Sequence, residues 1–361
     1  MQDSQDKTAD KTGDTSPGKL GDTAPGKTVS ALITDLLDTA GVTEQRSLIT
    51  QLVNTSLGLG TDQTERLNLK ISAAALQEMR AAFQVFAPFA GTPKVTIFGS
   101  ARTALADPQA QQAGQVAAAL AELGWMTVTG AGPGIMEAAA RGAGAEKSLG
   151  VSIRLPFEEA PNEIHANTQQ HVAMKYFFTR KLMLVKESRG FVCLPGGFGT
   201  LDEAFELLTL QQTGKMVPVP IVFLDAPSGT FWRGLAEFAR NELERGGLIT
   251  PGDLDRVLIT DSVADAVDEV IGFWSNYDSL RWIGEHLFLR IRTAPTPEEL
   301  AALNRDFAHL LVDGSIELCD AHPLEVKEQD VPELPRLRLH FNQYRIGELH
   351  QLIRALNQLG G

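Results

Sequence analysis

Three stretches concentrate the residues that could do chemistry: FGSAR at 98–102, TGAGPGIMEAA at 129–139 and LPGGFGTLDE at 194–203. Each follows a short apolar run, and the last two lead into helical patterns. Glycine lets backbone N–H groups approach a ligand closely, and a helix N-terminus adds unsatisfied donors and a partial positive charge. Together these make an anion site of the phosphate-binding kind. Any one turn could equally serve geometry alone, but three at consecutive strand ends would line one crevice. GAGPGIM does not meet the dinucleotide fingerprint, because Met136 occupies its last glycine position, and no Gly-Lys-Ser/Thr follows any of the glycines. A mononucleotide therefore fits better than a long dinucleotide, and the Walker pattern is absent.

The third turn also carries acids. Thr200 and Glu203 stand as T-x-x-E, the spacing of a helix capping box, with Asp202 favouring the helix dipole. That reading accounts for both residues without chemistry. The opposing reading starts from cost: a carboxylate beside a bound phosphate is repulsive unless it has a task. On the residues alone capping is the stronger reading, and the direction of the Glu203 side chain separates the two. Upstream, Arg180 and Lys181 interrupt the apolar helical segment YFFTRKLMLVKES. They are either solvent-facing charges or, since Phe177, Phe178, Met183 and Leu184 surround Arg180, a part-buried pair that needs a carboxylate or phosphate partner.

The elements that must position these residues follow from periodicity. From Pro93, short β-rich runs (KVTIFGS, MTVTGAG, GVSIRL, GFVCLP, VPIVFLD, RVLIT) alternate with helical patterns. That alternation predicts an α/β fold with a parallel sheet and helical crossovers, whose ligands bind at the carboxyl ends of the strands. Residues 1–28 are low-complexity, with GDTSPGK repeated as GDTAPGK, and read as a disordered tail. Residues 29–92 read as a helical preface, 93–276 as the nucleotide-binding catalytic domain, and 277–361 as a small α+β appendage of unknown role. In the appendage the pattern is strand, helix, strand, strand, helix, with HPLEVKEQDVPELP as a loop.

Composition sets further bounds. The chain has 361 residues and a formal net charge of −13, which disfavours nucleic-acid or anionic-membrane partners. The two cysteines, Cys193 and Cys319, make neither a metal spacing nor a disulfide framework, so a cytoplasmic location is expected. No apolar stretch is long enough to span a membrane, and the N-terminus lacks the apolar region of a secretory signal. The seven histidines are scattered, and His165 and His171, nearest the core motifs, read as surface or structural residues.

FGSAR, TGAGPGIMEAAARGA, FFTRK and LPGGFGTLDEAFELLTLQQTGK resemble, in order and over about residues 93–275, the Lonely guy (LOG) family of nucleoside 5′-monophosphate phosphoribohydrolases, once mislabelled lysine decarboxylases. P-G-G-x-G-T-x-x-E with an upstream R-K is the specific part. The resemblance implies a Rossmann-like, doubly wound sheet and a homodimer or higher homo-oligomer. It implies cleavage of the N-glycosidic bond of AMP or an N6-modified AMP to free base and ribose 5-phosphate, with no cofactor and no metal. Arg180 and Glu203 match the family's catalytic pair. Gly196, Gly197, Gly199 and Thr200 would hold the 5′-phosphate. Gly99, Ser100, Gly130, Ala131, Gly132 and Gly134 would line the nucleotide pocket, with Glu137 near the ribose and Lys181 also on the substrate. Plant-type members read M-H-x-R-K where Phe177 and Phe178 stand here, which is similar to a bacterial branch. A carboxylate near the anomeric carbon can stabilise an oxocarbenium-like state or activate water, so Glu203 is either base or nucleophile. Two alternatives stand beside this: a nucleosidase of broader purine and pyrimidine range, and a nucleotide sensor or carrier without turnover. A pyridoxal-phosphate decarboxylase is rejected, since no segment supplies its Schiff-base lysine and pyridinium partner.

Overall fold

A computed structural model describes residues 27–154, 162–165, 168–250 and 252–359. The expected disordered tail lies almost wholly outside the described residues. The chain divides into two compact units, residues 5–77 and 78–361, with the boundary inside the third helix. The first unit contains α1 (Val29–Thr39), α2 (Arg46–Thr61) and the start of α3 (Arg66–Phe86). Thr28 caps α1 by accepting from the Ala31 N–H, and Ile33 and Leu37 are its buried residues.

The second unit opens with the remainder of α3 and continues as alternating strands and helices. These are β1 (Lys94–Phe98), α4 (Pro108–Glu122), β2 (Met126–Thr129), α5 (Ile135–Ala143), β3 (Ser148–Ile153), β4 (His171–Met174), α6 (Phe177–Lys186), β5 (Gly190–Cys193), α7 (Phe198–Gln212), β6 (Ile221–Leu224), α8 (Phe231–Phe238), β7 (Val257–Thr260) and α9 (Val263–Gly272). The seven strands form one sheet in the order β4-β3-β2-β1-β5-β6-β7. Every adjacent pair is parallel. This is the expected doubly wound α/β sheet. The sequence reading missed β4, a four-residue edge strand with alternating burial. Successive strands fill from β1 outward to β4 and then return to β5 on the other side of β1. The strand order therefore reverses between β1 and β5, which is where open α/β sheets bind ligands.

The sheet is covered on both faces. One core packs Val95, Ile97, Val192 and Val222 against α4, α5 and α9 through Val116, Leu120, Ile135, Ala139, Ala266 and Val270. The opposite core joins Val128, Leu149, Phe191 and Phe223 to Ala82 and Phe86 of α3, Met183 and Leu184 of α6, Leu207 of α7 and Trp232 of α8. The central strands are buried on both faces, which explains their largely apolar runs, broken by the buried Lys94 and Thr96 in β1 and Thr127 and Thr129 in β2.

The appendage contains β8 (Tyr277–Ile283), β9 (His286–Ile291), α10 (Pro297–Phe307), β10 (Leu311–Cys319), α11 (Pro323–Glu328), β11 (Arg336–Phe341) and α12 (Leu349–Asn357). Its sheet has the order β10-β11-β9-β8 and is antiparallel. The α+β character is as expected, but β8 and α11 are additional. The helix α11 forms inside the proline-bearing loop because Pro323 sits at its first position and His322 and Glu325 cap it reciprocally. Glu325 has a second task. Its carboxylate accepts from Arg290 Nη2 at 2.7 Å and Arg336 Nε at 3.1 Å, with all three side chains fully buried. Burial raises the Glu325 carboxyl, but the Arg290 hydrogen bond, the His322 N–H and the two guanidinium charges more than offset it, leaving it below the usual value. Glu325→Ala removes the carboxylate shared by two buried guanidiniums, leaving Arg290 to Asp330 and Arg336 to backbone carbonyls, so unfolding in urea at pH 7 is expected to lose about 3–5 kcal/mol. A loss below about 1 kcal/mol would show the network to be dispensable. The contribution is present above the ordinary carboxylate pKa and lost as pH falls through the lower folded value.

Candidate active site at the strand ends

The three glycine turns meet at the switch point. Beyond β1 and β5 the chains stay paired: Leu194 N–H donates to Phe98 O at 2.9 Å and Ser100 N–H to Pro195 O at 3.3 Å. Ser100 O then accepts from Ile135 N–H at 3.1 Å, tying the first turn to the start of α5. One residue thus joins all three turns, as the sequence pattern required.

Most of the glycines have intramolecular reasons to be glycine. A Cβ at Gly99 would enter Ile135, one at Gly132 the Met136 methyl, and one at Gly196 the Thr200 side chain. Gly134 has φ +68° and its Cβ would meet the backbone of Ser100 and Ala101. At Gly130 the missing Cβ makes room for the Arg180 guanidinium. Gly197 and Gly199 differ: a Cβ at either has no neighbour within 4 Å. They leave the first turn of α7 open, where backbone N–H groups have no intrahelical acceptor.

The start of α7 overturns the capping box. Gly197 is the N-cap, and its carbonyl accepts from both Thr200 N–H at 3.0 Å and Leu201 N–H at 3.1 Å. Thr200 is therefore already inside the helix, and its N–H is unavailable to Glu203. The helix starts three residues before the T-x-x-E pattern implied, because Gly197 in an extended conformation turns the chain directly from strand to helix. Glu203 then lies one further turn in. It is 5% exposed, and among the described residues its Oε2 finds no hydrogen-bond partner. Burial pushes its carboxyl up to about 7, against the lowering charges of Lys181 and Arg180. The neighbouring Cys193 thiol is also pushed up, first by burial and then by the charge of Glu203.

The cations come from α6. Arg180 is half-buried, donates from Nε to Val151 O at 2.9 Å and lies against Gly130. Lys181 Nζ reaches Glu206 at 2.6 Å, Asp202 at 3.0 Å and Glu203 at 4.0 Å. Burial lowers the Lys181 ammonium, but hydrogen bonds to Glu206 and Asp202 outweigh it, so its pKa is raised and the group is held protonated. Glu137, by contrast, is occupied by Arg141, whose Nε and Nη2 donate to its Oε1 at 2.9 and 2.7 Å.

The sequence reading missed a clamp on the second turn. Ala131 adopts φ +56°, its N–H donates to Thr129 Oγ1, and its carbonyl accepts from Asn162 N–H. Asn162 Nδ2 donates to Gly132 O at 2.9 Å. Asn162 Oδ1 in turn lies 2.9 Å from His165 Nδ1, while His165 Nε2 lies 3.0 Å from Ser148 Oγ. Burial lowers His165 to about 4, so it is a neutral structural residue. Nothing in NEIH announces this role, since the contacts span some 30 residues.

A cavity of about 110 Å³ lies on another side of α7, between Leu208, Trp232, Leu235, Leu243 and Ile259. It is lined mainly by aliphatic and aromatic side chains and by none of the candidate site residues, so polar convergence rather than enclosed volume marks the candidate site.

Comparison with known proteins identifies the family. A family profile described as "Possible lysine decarboxylase" matches residues 136–270. The cytokinin riboside 5′-monophosphate phosphoribohydrolase of Mycobacterium tuberculosis is 31% identical over 159 residues, 43% of this chain and 81% of that protein. Its counterpart in Mycobacterium marinum matches to the same extent. The chain belongs to the LOG family. Among solved structures, the molybdenum cofactor binding protein of Rippkaea orientalis is 21% identical and covers 49% of this chain and 94% of its own, at a TM-score of 0.34, too remote to bear on function. In this LOG-family chain the signature Glu and Arg are the residues the fold brings together.

Burying Glu203 has a measurable consequence for the ligand-free protein. Its ordinary pKa of 4.5 rises to about 7, so the folded state binds more protons between these values and loses stability as pH rises through them. Glu203→Gln is therefore expected to stabilise the protein at pH 8 by on the order of 3 kcal/mol, and far less at pH 5. Chemical unfolding at the two pH values tests this, and an equal change at both would refute the buried ionisation.

Proposed function

We propose that this protein hydrolyses the N-glycosidic bond of a purine nucleoside 5′-monophosphate, AMP or an N6-modified AMP, to free base and ribose 5-phosphate. The observation that carries the proposal is Glu203: a buried carboxylate with one oxygen that has no hydrogen-bond partner among the described residues, raised to about 7, beside Arg180 and Lys181 and behind an open helix N-terminus. A capping or purely structural glutamate would have its oxygens satisfied. A pKa near the working pH suits a general base. In the base form of the mechanism, the water oxygen bonds to C1′ as the C1′–N9 bond breaks. The water proton passes to Glu203 and the departing base takes up a proton. In the nucleophile form a Glu203 carboxylate oxygen bonds to C1′ as C1′–N9 breaks and the base takes up a proton; water then bonds to C1′ as the C1′–Glu203 bond breaks, and its proton passes to solvent. The 5′-phosphate would lie on the N–H groups of Gly197, Phe198 and Gly199, with Arg180 as its cation.

The relatives are named for cytokinin riboside 5′-monophosphates, which favours an adenine-type base. We assign the reaction to residues 93–276 and a cytoplasmic location to the protein. The decarboxylase in the family profile's description gains nothing from Lys181, whose salt-bridged, protonated amine is in the wrong state to attack a carbonyl.

Incubation with AMP, GMP, CMP and UMP, followed by chromatography of the free bases, tests the reading. Adenine and ribose 5-phosphate are expected from AMP, with kcat falling below about pH 7 as Glu203 takes up its proton. Glu203→Gln should lower kcat by roughly 10³-fold or more while AMP still binds. AMP binding with no base released on long incubation would make the protein a sensor or carrier instead.

We also propose that the protein works as a homodimer. Phe198, in the PGGFGT turn, is 92% exposed, and Phe177 and Phe178 at the start of α6 are 53% and 55% exposed. Lys181, the fifth residue of α6, pairs with Asp202, the fifth residue of α7, so the three rings occupy neighbouring helix ends. Light scattering should give twice the chain mass for the wild type and a monomer for Phe177→Ser/Phe198→Ser. A wild-type monomer at tens of micromolar would exclude it.

A further inference from the structure

The helix that carries Arg180 and Lys181 has no side-chain cap of its own. Its N-cap is Tyr176, which contributes no side-chain acceptor to the first turn. The acceptor comes from α3 instead. Glu78, 9% exposed, accepts from Lys175 N–H at 2.7 Å, from Tyr176 N–H at 3.4 Å and from Thr179 Oγ1 at 2.8 Å. A carboxylate placed there holds the N–H groups of the N-cap and the residue before it, together with the first-turn Thr179 hydroxyl, and sits at the positive end of the helix dipole. Around it, Ala82 and Phe86 of α3 share a core with Met183 and Leu184 of α6, so the cap is held against a packed interface.

We propose that Glu78 is a positioning residue for the reaction: from the helical preface it fixes the first turn of α6 and thereby sets Arg180 and Lys181 against the glycine turn and Glu203. The proposal rests on the functional reading above, but its structural half stands without it. Arg180 and Lys181 directly follow Thr179, the third donor to Glu78. If the cap is lost, the turn that frays is the one from which both cations depart. Arg180 would leave Val151 O and Gly130, and Lys181 would leave Asp202 and Glu206. The preface thus contributes to the site without reaching it.

The groups facing Glu203 are Lys181 and Arg180 from α6, Asp202 and Glu206 from α7 itself, and Cys193 from β5. Only the α6 pair lowers its pKa, so displacing that pair moves the Glu203 titration upward. The test uses the full-length chain and the variants Glu78→Ala and Glu78→Gln, the latter keeping one acceptor oxygen and the side-chain size. Amide exchange in residues 177–181 is expected to be about tenfold faster in Glu78→Ala, from the loss of a helix cap. The Glu203 carboxyl, followed by ¹³C NMR, is expected to titrate at higher pH than in the wild type. With AMP as substrate, kcat should fall about tenfold or more, while Glu78→Gln recovers a substantial part of all three readouts.

Wild-type exchange in a folded Glu78→Ala would overturn the proposal. So would faster exchange with an unmoved Glu203 titration and unchanged kcat, which would make Glu78 a structural cap alone. If Glu78→Ala does not fold, the same three measurements on Glu78→Gln decide, and wild-type values for all three there overturn it as well. If the wild type releases no base from AMP, the functional reading fails while exchange and titration still decide the positioning.

Discussion

An ionised carboxylate kept out of water is costly, and the arrangement around Glu203 can be understood as a partial answer to that cost. Full compensation was available. Lys181 could have paired with Glu203 alone, and the carboxyl would then have titrated well below neutrality. Instead Lys181 makes its close contacts with Asp202 and Glu206 and stands 4.0 Å from Glu203. Three acids on α7 thus share the charge of one lysine. Burial, only partly offset by Lys181 and Arg180, leaves a carboxylate whose ionisation falls near 7. The two other acids therefore have a role that neither capping nor solubility supplies: they divert the lysine.

The fold explains why this cluster lies where it does. The order β4-β3-β2-β1-β5-β6-β7 puts β1 and β5 side by side in the middle of the sheet. Their following turns are then neighbours, and Ser100 can bond to both Pro195 and Ile135. The helices after β4 and β5 pack on one face, which brings the cations of α6 to the acids of α7. Much of this was legible in the sequence, because buried parallel strands are short, largely apolar, β-rich runs and crossover helices carry a clear period. The short edge strand β4 and the helix α11 were not, since four to six residues give too little pattern. The start of α7 misled for a different reason. T-x-x-E is a genuine capping signal, but Gly197 capped the helix first and carried Glu203 inward.

The glycines show how a local motif mixes two meanings. Seven glycines of the three turns invite the same reading, that each permits close approach of a phosphate. The structure divides them. Gly99, Gly130, Gly132, Gly134 and Gly196 are required by the chain's own packing, and Gly130 in particular by Arg180. Gly197 and Gly199 have open space before them and no positive φ to justify them. Only contacts between distant segments make this division, so no inspection of GAGPG or PGGFG alone could find it. The same holds for Glu78 and Asn162, whose partners are 97 and 30 residues away.

The parts outside the central sheet bear on the same helix from its other end. Gln212, the last residue of α7, donates to Asp253, and Asp253 in turn pairs with the buried Arg256. A Cβ on Gly347 of the appendage would strike that guanidinium, and Ile346 is the neighbour of Gly214. His350 reaches Val219 O, and Arg354 pairs with Glu269 at 2.7 Å. The appendage therefore packs against the loop that follows α7, while α6 pairs through Lys181 with Asp202 and Glu206. A helix held at two places keeps its side chains in one place, which matters for Glu203 because a buried, incompletely paired carboxylate would otherwise relax toward water or toward Lys181. Holding such a group in an unfavourable environment requires structure elsewhere, and the chain devotes more than its minimal sheet to that task.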